Sequence, residues 1–173
     1  MGSREAARIE PGMEVKPSGF NPVNSTHDLF VVFTLDANLY ALPLASVERI
    51  VPAAEINPLP NAPEIVLGIV NAQGRVIPVV DIRKRFCLPA RDLALSDLLI
   101  LARTDRRTVG IVADSAVGVI ERSESERTPP EAIVPGLRYV EGVMKLGDGL
   151  VIIHNLDAFL SLDEERALEA AVT

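Results

Sequence analysis

One cysteine, two histidines and no tryptophan stand in 173 residues, and aromatic side chains make up only 4%. The lone Cys87 cannot form an internal disulfide and fits a reducing compartment. It follows Phe86 with no base motif beside it, so it reads as a small packed side chain rather than a nucleophile. No Cys/His group has zinc spacing. His27 and His154 flank the first and last apolar runs, and neither is read as a general base. Asp36, Asp81, Asp114 and Asp148 fall in separate turns or strand ends, which turn chemistry explains better than a metal site. Gly147 and Gly149 precede no helix start and mark a turn, not a phosphate loop. The reading is therefore no catalytic residue, no cofactor, no metal and no enzyme. Positive charge is also short: 17 Lys and Arg face 24 Asp and Glu, a net charge of −7. That opposes nucleic-acid binding, which needs clustered positive charge. No apolar run approaches the ~20 residues of a membrane span, and the first residues lack the apolar core of a secretory signal. A cytosolic protein that meets a membrane only through partners is expected.

What is abundant is aliphatic. Hydrophobic residues make up 48% of the chain, and Val and Ile favour strands. Residues 1–26 carry scattered Pro and Gly without apolar period and read as a tail. Leu29–Leu35 and Leu39–Leu42 form a hairpin around Asp36-Ala37-Asn38. Pro43 is placed to start a helix over Leu44 to Ile50. Pro52, Pro58, Pro60 and Pro63 then break regular structure. Ile65–Val70 and Val76–Val80 flank Asn71-Ala72-Gln73-Gly74, a second hairpin whose Gly74 supplies a positive φ. Pro78 cannot donate to a ladder and predicts an edge strand or a bulge. Asp81 caps a short helix through Arg85. Further strands follow at Asp97–Ala102, Thr108–Ala113, Val117–Glu121, Tyr139–Leu146 and Leu150–Ile153. Asn155 or Asp157 is expected to cap a terminal helix. Many short strands with only short helices predict an all-β, barrel-like fold.

Gly68, Asn71 and Gly74, followed by Ile77-Pro78-Val79-Val80-Asp81-Ile82-Arg83, resemble the signature of CheW-type chemotaxis coupling proteins. Tyr40-Ala41-Leu42-Pro43 to Ile50, Leu59–Pro63 and Val109–Asp114 resemble further family segments, in the family's order. The resemblance runs from about Asp28 to Leu160. It implies two packed five-stranded SH3-like β-barrels over 27–160, with 1–26 as a tail and 161–173 as a C-terminal helix. It also implies a non-enzymatic adaptor. Its partners would be the regulatory domain of a CheA-type histidine kinase and the cytoplasmic tip of methyl-accepting chemotaxis receptors. It would sit at receptor arrays on the inner membrane face, with no direct membrane insertion. A small ligand-binding or hydrolytic β-barrel is the alternative, distinguishable by a deep pocket with convergent titratable groups.

The candidate partner-binding residues are Val47, Glu48, Ile50, Gln73, Arg75, Arg83, Val117 and Val119. Val47, Glu48 and Ile50 are placed on the first short helix, and the aliphatics are expected to be exposed. By resemblance, the position of Glu48 influences docking. Gln73 stands where the family has Arg, and a neutral amide offers no charged fork to a carboxylate. Arg75 or Arg49 is expected to supply that charge. Arg83-Lys84-Arg85 reads as a solvated face or as a docking patch for an acidic partner.

Overall fold

The computed structural model describes residues 27–53, 56–133 and 138–172; the expected tail, 1–26, lies outside the described residues. Strand β1 (His27–Leu35) turns through Asp36 and Ala37 into β2 (Asn38–Pro43). A single 3-10 turn, Leu44–Ser46, leads directly into β3 (Val47–Pro52). The helix expected to Ile50 is therefore replaced by strand. Val47, Ile50 and Val51 are β-branched and fit a pleated surface better than a helix. Their i, i+3 spacing looked helical for a specific reason. A bulge between Val47 and Arg49 inserts one residue, so Val47 and Ile50 both face inward.

The chain continues through β4 (Val66–Ala72), β5 (Arg75–Val80) and helix α1 (Ile82–Arg85), then β6 (Leu98–Arg103), β7 (Thr108–Ala113) and β8 (Ser115–Ser123). After a 3-10 turn at Glu124–Glu126 come β9 (Arg127–Thr128), β10 (Val140–Leu146), β11 (Gly149–His154) and helix α2 (Leu162–Val172). Two sheets result. One has the order β8-β1-β2-β11-β10-β9, and the other β3-β6-β7-β5-β4. The second is thus inserted between β2 and β8 of the first.

Each sheet closes on itself. In the first, β8 lies at one edge, and the same chain passes through Glu124–Glu126 into β9, which pairs with β10 at the other edge. In the second, Asn57 exchanges two backbone hydrogen bonds with Ile69 of β4, at 2.9 and 2.8 Å, just downstream of edge strand β3. The Asn57–Ile69 bridge covers the outer edge of β4 against further pairing, while β8 and β9 are joined by the chain rather than by a ladder. The molecule is accordingly a pair of SH3-like barrels, the first carrying the two-residue β9 as a sixth piece.

The two barrels share a hairpin plan that went unnoticed in the sequence. β4 and β10 have the same burial pattern, a bulge two residues before a glycine-led run, and a two-residue turn into the next strand. Pro78 sits not at an edge but in β5, between β7 and β4. The parallel ladder to β7 begins at Val79, one residue later, so no donor is missed at Pro78.

The largest apolar cluster is shared. Phe33, Leu35 and Leu42 of the first barrel meet Ile50, Val80, Ile100 and Ile111 of the second, with Leu156, Phe159 and Leu168 from the C-terminal segment. Phe30 and Val32 face a smaller core private to the first barrel. β1 is thus buried on both faces, which is why its sequence is a continuous apolar run. Helix α2 is capped by Ser161, not by Asn155 or Asp157. Ser161 Oγ accepts from Glu164 N at 3.2 Å, and Ser161 N donates to the Glu164 carboxylate at 2.8 Å.

Candidate docking surface

At one end of the second barrel, β3 begins, β6 ends, β7 begins and the β4–β5 turn projects. Register brings Glu48 into the centre of that end. Its carboxylate accepts from Arg75 at 2.6 Å, from Arg103 at 3.3 Å and from Thr108 Oγ1 at 2.9 Å. Burial alone would raise the Glu48 carboxyl, but the hydrogen bonds from Arg75, Thr108 and Arg103 outweigh it and hold it below the usual range. Arg75 and Arg103 remain largely exposed, at 55% and 71% of their side chains. Their outer N–H groups therefore stay available to a partner.

The β4–β5 turn is two residues long, with φ of 53° at Gln73 and 82° at Gly74. Both values are positive, as a type I′ turn requires. Asn71 Oδ1 accepts from Gly74 N at 2.9 Å and fixes the turn. The Gln73 amide, oriented with its oxygen toward Arg49, accepts from Nη1 and Nη2 at 2.6 and 3.2 Å. Val76 next to the turn is 55% exposed. The arrangement is a one-acid, three-guanidinium surface with an aliphatic tip.

The other expected residues do not join it. Val47 and Ile50 are 4% and 0% exposed and belong to the shared core, because β3 turns them inward. They are therefore not surface contacts. Arg83 is spent internally. It donates to Asp36 at 2.8 Å, to Asp114 at 2.9 Å and to Pro89 O at 3.2 Å. Asp36 lies in the β1–β2 turn and Asp114 at the β7–β8 junction, so Arg83 ties α1 of the second barrel to the first. Lys84 donates to Glu64 O at 2.7 Å, and Arg85 binds Phe159 O at 2.7 Å and the Glu164 carboxylate. Arg83 and Arg85 act as internal clamps, while Lys84, its side chain 41% exposed, is the solvated member of the run. Val117 is 36% exposed and Val119 half-buried, both on β8 of the other barrel. Thr108 and Val76 were missed by sequence reasoning. Thr108 has no motif signal; Val76 was legible as one alternate position of a hairpin strand next to its turn.

The profile of the CheW-like domain matches residues 29–164. This chain belongs to the CheW family. It is 31% identical over 153 residues to the chemotaxis protein CheW of Treponema pallidum, covering 84% of this chain and 89% of that protein. Against the chemotaxis protein CheW of Bacillus subtilis it is 29% identical, covering 84% and 93%. The crystal structure of the scaffolding protein TtCheW from Thermoanaerobacter tengcongensis superimposes with a TM-score of 0.72 at 30% identity, covering 79% of this chain and 94% of that one. The CheW-family chain is thus a chemotaxis adaptor that interacts with other chemotaxis proteins, and the ligand-binding or hydrolytic alternative is not favoured. Among the described residues no helix is long and apolar enough to cross a membrane.

Proposed function

We propose that this CheW-family adaptor couples the cytoplasmic tips of methyl-accepting chemotaxis receptors to the regulatory domain of a CheA-type histidine kinase. It works by being held from two sides, with no bond made or broken and no cofactor. Its place is in the cytoplasm, at receptor arrays on the inner membrane face. Residues 27–160 form the coupling unit, with 161–173 as an appended helix. The observation that carries this reading is the Glu48-centred end of the second barrel. An exposed surface that orders two guanidiniums on the Glu48 carboxylate and a third on the Gln73 amide presents directed donors to an acidic helical partner. Arg49 at Gln73 and Arg75 at Glu48 support the view that neighbouring arginines supply the charge absent at Gln73. Val117 and the half-buried Val119, both on β8, offer the first barrel's separate contact.

Pull-down of the purified chain with receptor and kinase fragments tests the proposal. Reversing Glu48 with Glu48→Lys is expected to scatter Arg75 and Arg103 and cut partner capture about tenfold, with a modestly lower thermal midpoint from the lost bonds and a chain that still folds. Full capture by Glu48→Lys would remove this surface from the docking account.

A further inference from the structure

The geometry points to a second, unassigned site: a carboxylate-binding cleft at the seam of the first barrel, built on Arg122. The residue ends β8, where that strand approaches β10 across the closing barrel. It is 6% exposed. Its guanidinium is locked by two main-chain carbonyls, Glu121 O at 2.8 Å and Lys145 O at 3.3 Å. A guanidinium has five N–H donors, so three remain. Among the described residues no carboxylate is in ion-pair contact with it, and Glu126 attracts it only from longer range. A buried cation hydrogen-bonded only to carbonyls, with its one acid out of contact, is incompletely compensated.

The remaining donors have somewhere to point. Arg122 lines an open cleft of about 400 Å³ together with Ser125, Glu126, Thr128, Lys145 and Leu150. Two hydroxyl residues and an exposed lysine accompany the guanidinium. Leu150, 61% exposed, forms an apolar rim. Glu126 is the one acid present, and its Oε2 is already engaged by Ser123 N at 2.7 Å and Ser123 Oγ at 3.2 Å. Arg122 and Lys145 against Glu126 leave one net positive charge. That balance suits a monoanionic carboxylate, which a guanidinium grips in bidentate fashion, rather than a dianionic phosphate. The apolar rim suits an acid with a short hydrocarbon body. The guanidinium is fixed before binding, so little rotamer freedom is lost on capture.

NMR titration of the full chain with butyrate, its neutral isostere butyramide and inorganic phosphate tests the site. Butyrate is expected to give saturable shifts at Ser125, Thr128 and Lys145, butyramide none, and phosphate weaker ones. Equal response to butyrate and butyramide, or shifts scattered over the surface, would overturn the assignment. Arg122→Gln is expected to weaken butyrate about tenfold. Because Arg122 also bridges the seam, two rim variants stand beside it. Lys145→Gln should weaken binding and Glu126→Gln should tighten it, each by about threefold. Identical affinity in both rim variants and the parent would sink the proposal even if Arg122→Gln fails to fold. Failure here leaves the receptor–kinase reading intact, since that is carried by the Glu48 end of the other barrel.

Discussion

Gly68 is pressed against Asn57 so closely that a Cβ on Gly68 would lie 2.2 Å from the Asn57 carbonyl oxygen. This is the point where the second barrel closes, through the Asn57–Ile69 hydrogen bonds. Backbone, unlike a flexible side-chain tip, cannot swing aside. Gly68→Ala must therefore break the closing pair, and the expected loss is about 3–4 kcal/mol. Gly74 offers the control. Nothing lies within 4 Å of a Cβ there, and only its φ of 82° opposes a side chain. Gly74→Ala should cost only about 1 kcal/mol. Urea midpoints of the two variants separate steric closure from backbone conformation, and similar losses would refute the distinction.

Arg83 clamps the barrels through Asp36 and Asp114, and Arg91 extends the clamp to Asp97. Removing the cation leaves Asp36 and Asp114 adjacent without it. Arg83→Met is expected to cost about 2–3 kcal/mol, less than a fully buried pair because both carboxylates are partly solvated. The clamp also predicts an acid response. At Asp97 the hydrogen bond from Arg91 holds the carboxyl low. At Asp114 burial would raise it, but Arg91, the Asp36 N–H and Arg83 outweigh that and hold it low. A carboxyl lowered by folding contributes stability above its unfolded value, about 3.9, and loses it as pH falls through the folded value. Denaturation curves between pH 7 and pH 2 should show an added, steeper loss of stability below about pH 4, and that added loss should be smaller in Arg83→Met.

His154 lies in an aromatic box, stacked on Tyr40 at 4.9 Å and on Phe33 at 5.6 Å, with Phe86 and Phe159 at 4.6 and 5.0 Å between ring centres. It is 1% exposed, and neither ring nitrogen has a partner among the described residues. Burial pushes its pKa down to about 3. Below the unfolded value of about 6.5 the unfolded chain binds a proton that the folded chain refuses, so stability falls with acid by at most ~1.4 kcal/mol per pH unit. His154→Leu removes both orphan nitrogens and this titration. It should be more stable by about 1–2 kcal/mol at pH 7, with the gap to the parent widening from pH 6.5 to pH 4. A constant gap would mean that His154 is not held neutral.

Much of this was readable in advance. Asp81 as a cap is confirmed by its acceptance from Arg83 N at 3.1 Å, because Asx capping is local chemistry written in adjacent residues. The β4–β5 turn was legible for the same reason. What failed was non-local. The β3 bulge disguised a strand as a helix face, since only pairing with β6 reveals the extra residue. Arg83 looked like a surface charge because Asp36 and Asp114 are 47 and 31 residues away in sequence. Glu48 could be singled out through the family resemblance, but its ring of Arg75, Arg103 and Thr108 depends on strand order, which periodicity does not encode.

Gln73 gives the sharpest test of how the docking end is charged. The side chain there already accepts from Arg49, and Arg75 is already anchored on Glu48. An arginine at 73 would replace an acceptor by a fourth guanidinium facing Arg49. The new charge gains some attraction for an acidic partner but loses the Arg49 contact and adds like-charge repulsion, each worth at most about 1 kcal/mol at an exposed site. Gln73→Arg should therefore change affinity for receptor and kinase fragments by less than about threefold at physiological salt. Arg49→Gln in the parent should weaken binding more than it does in Gln73→Arg, because there the second arginine substitutes for the first. A gain of about tenfold in Gln73→Arg would show that the neighbouring arginines do not supply the missing charge.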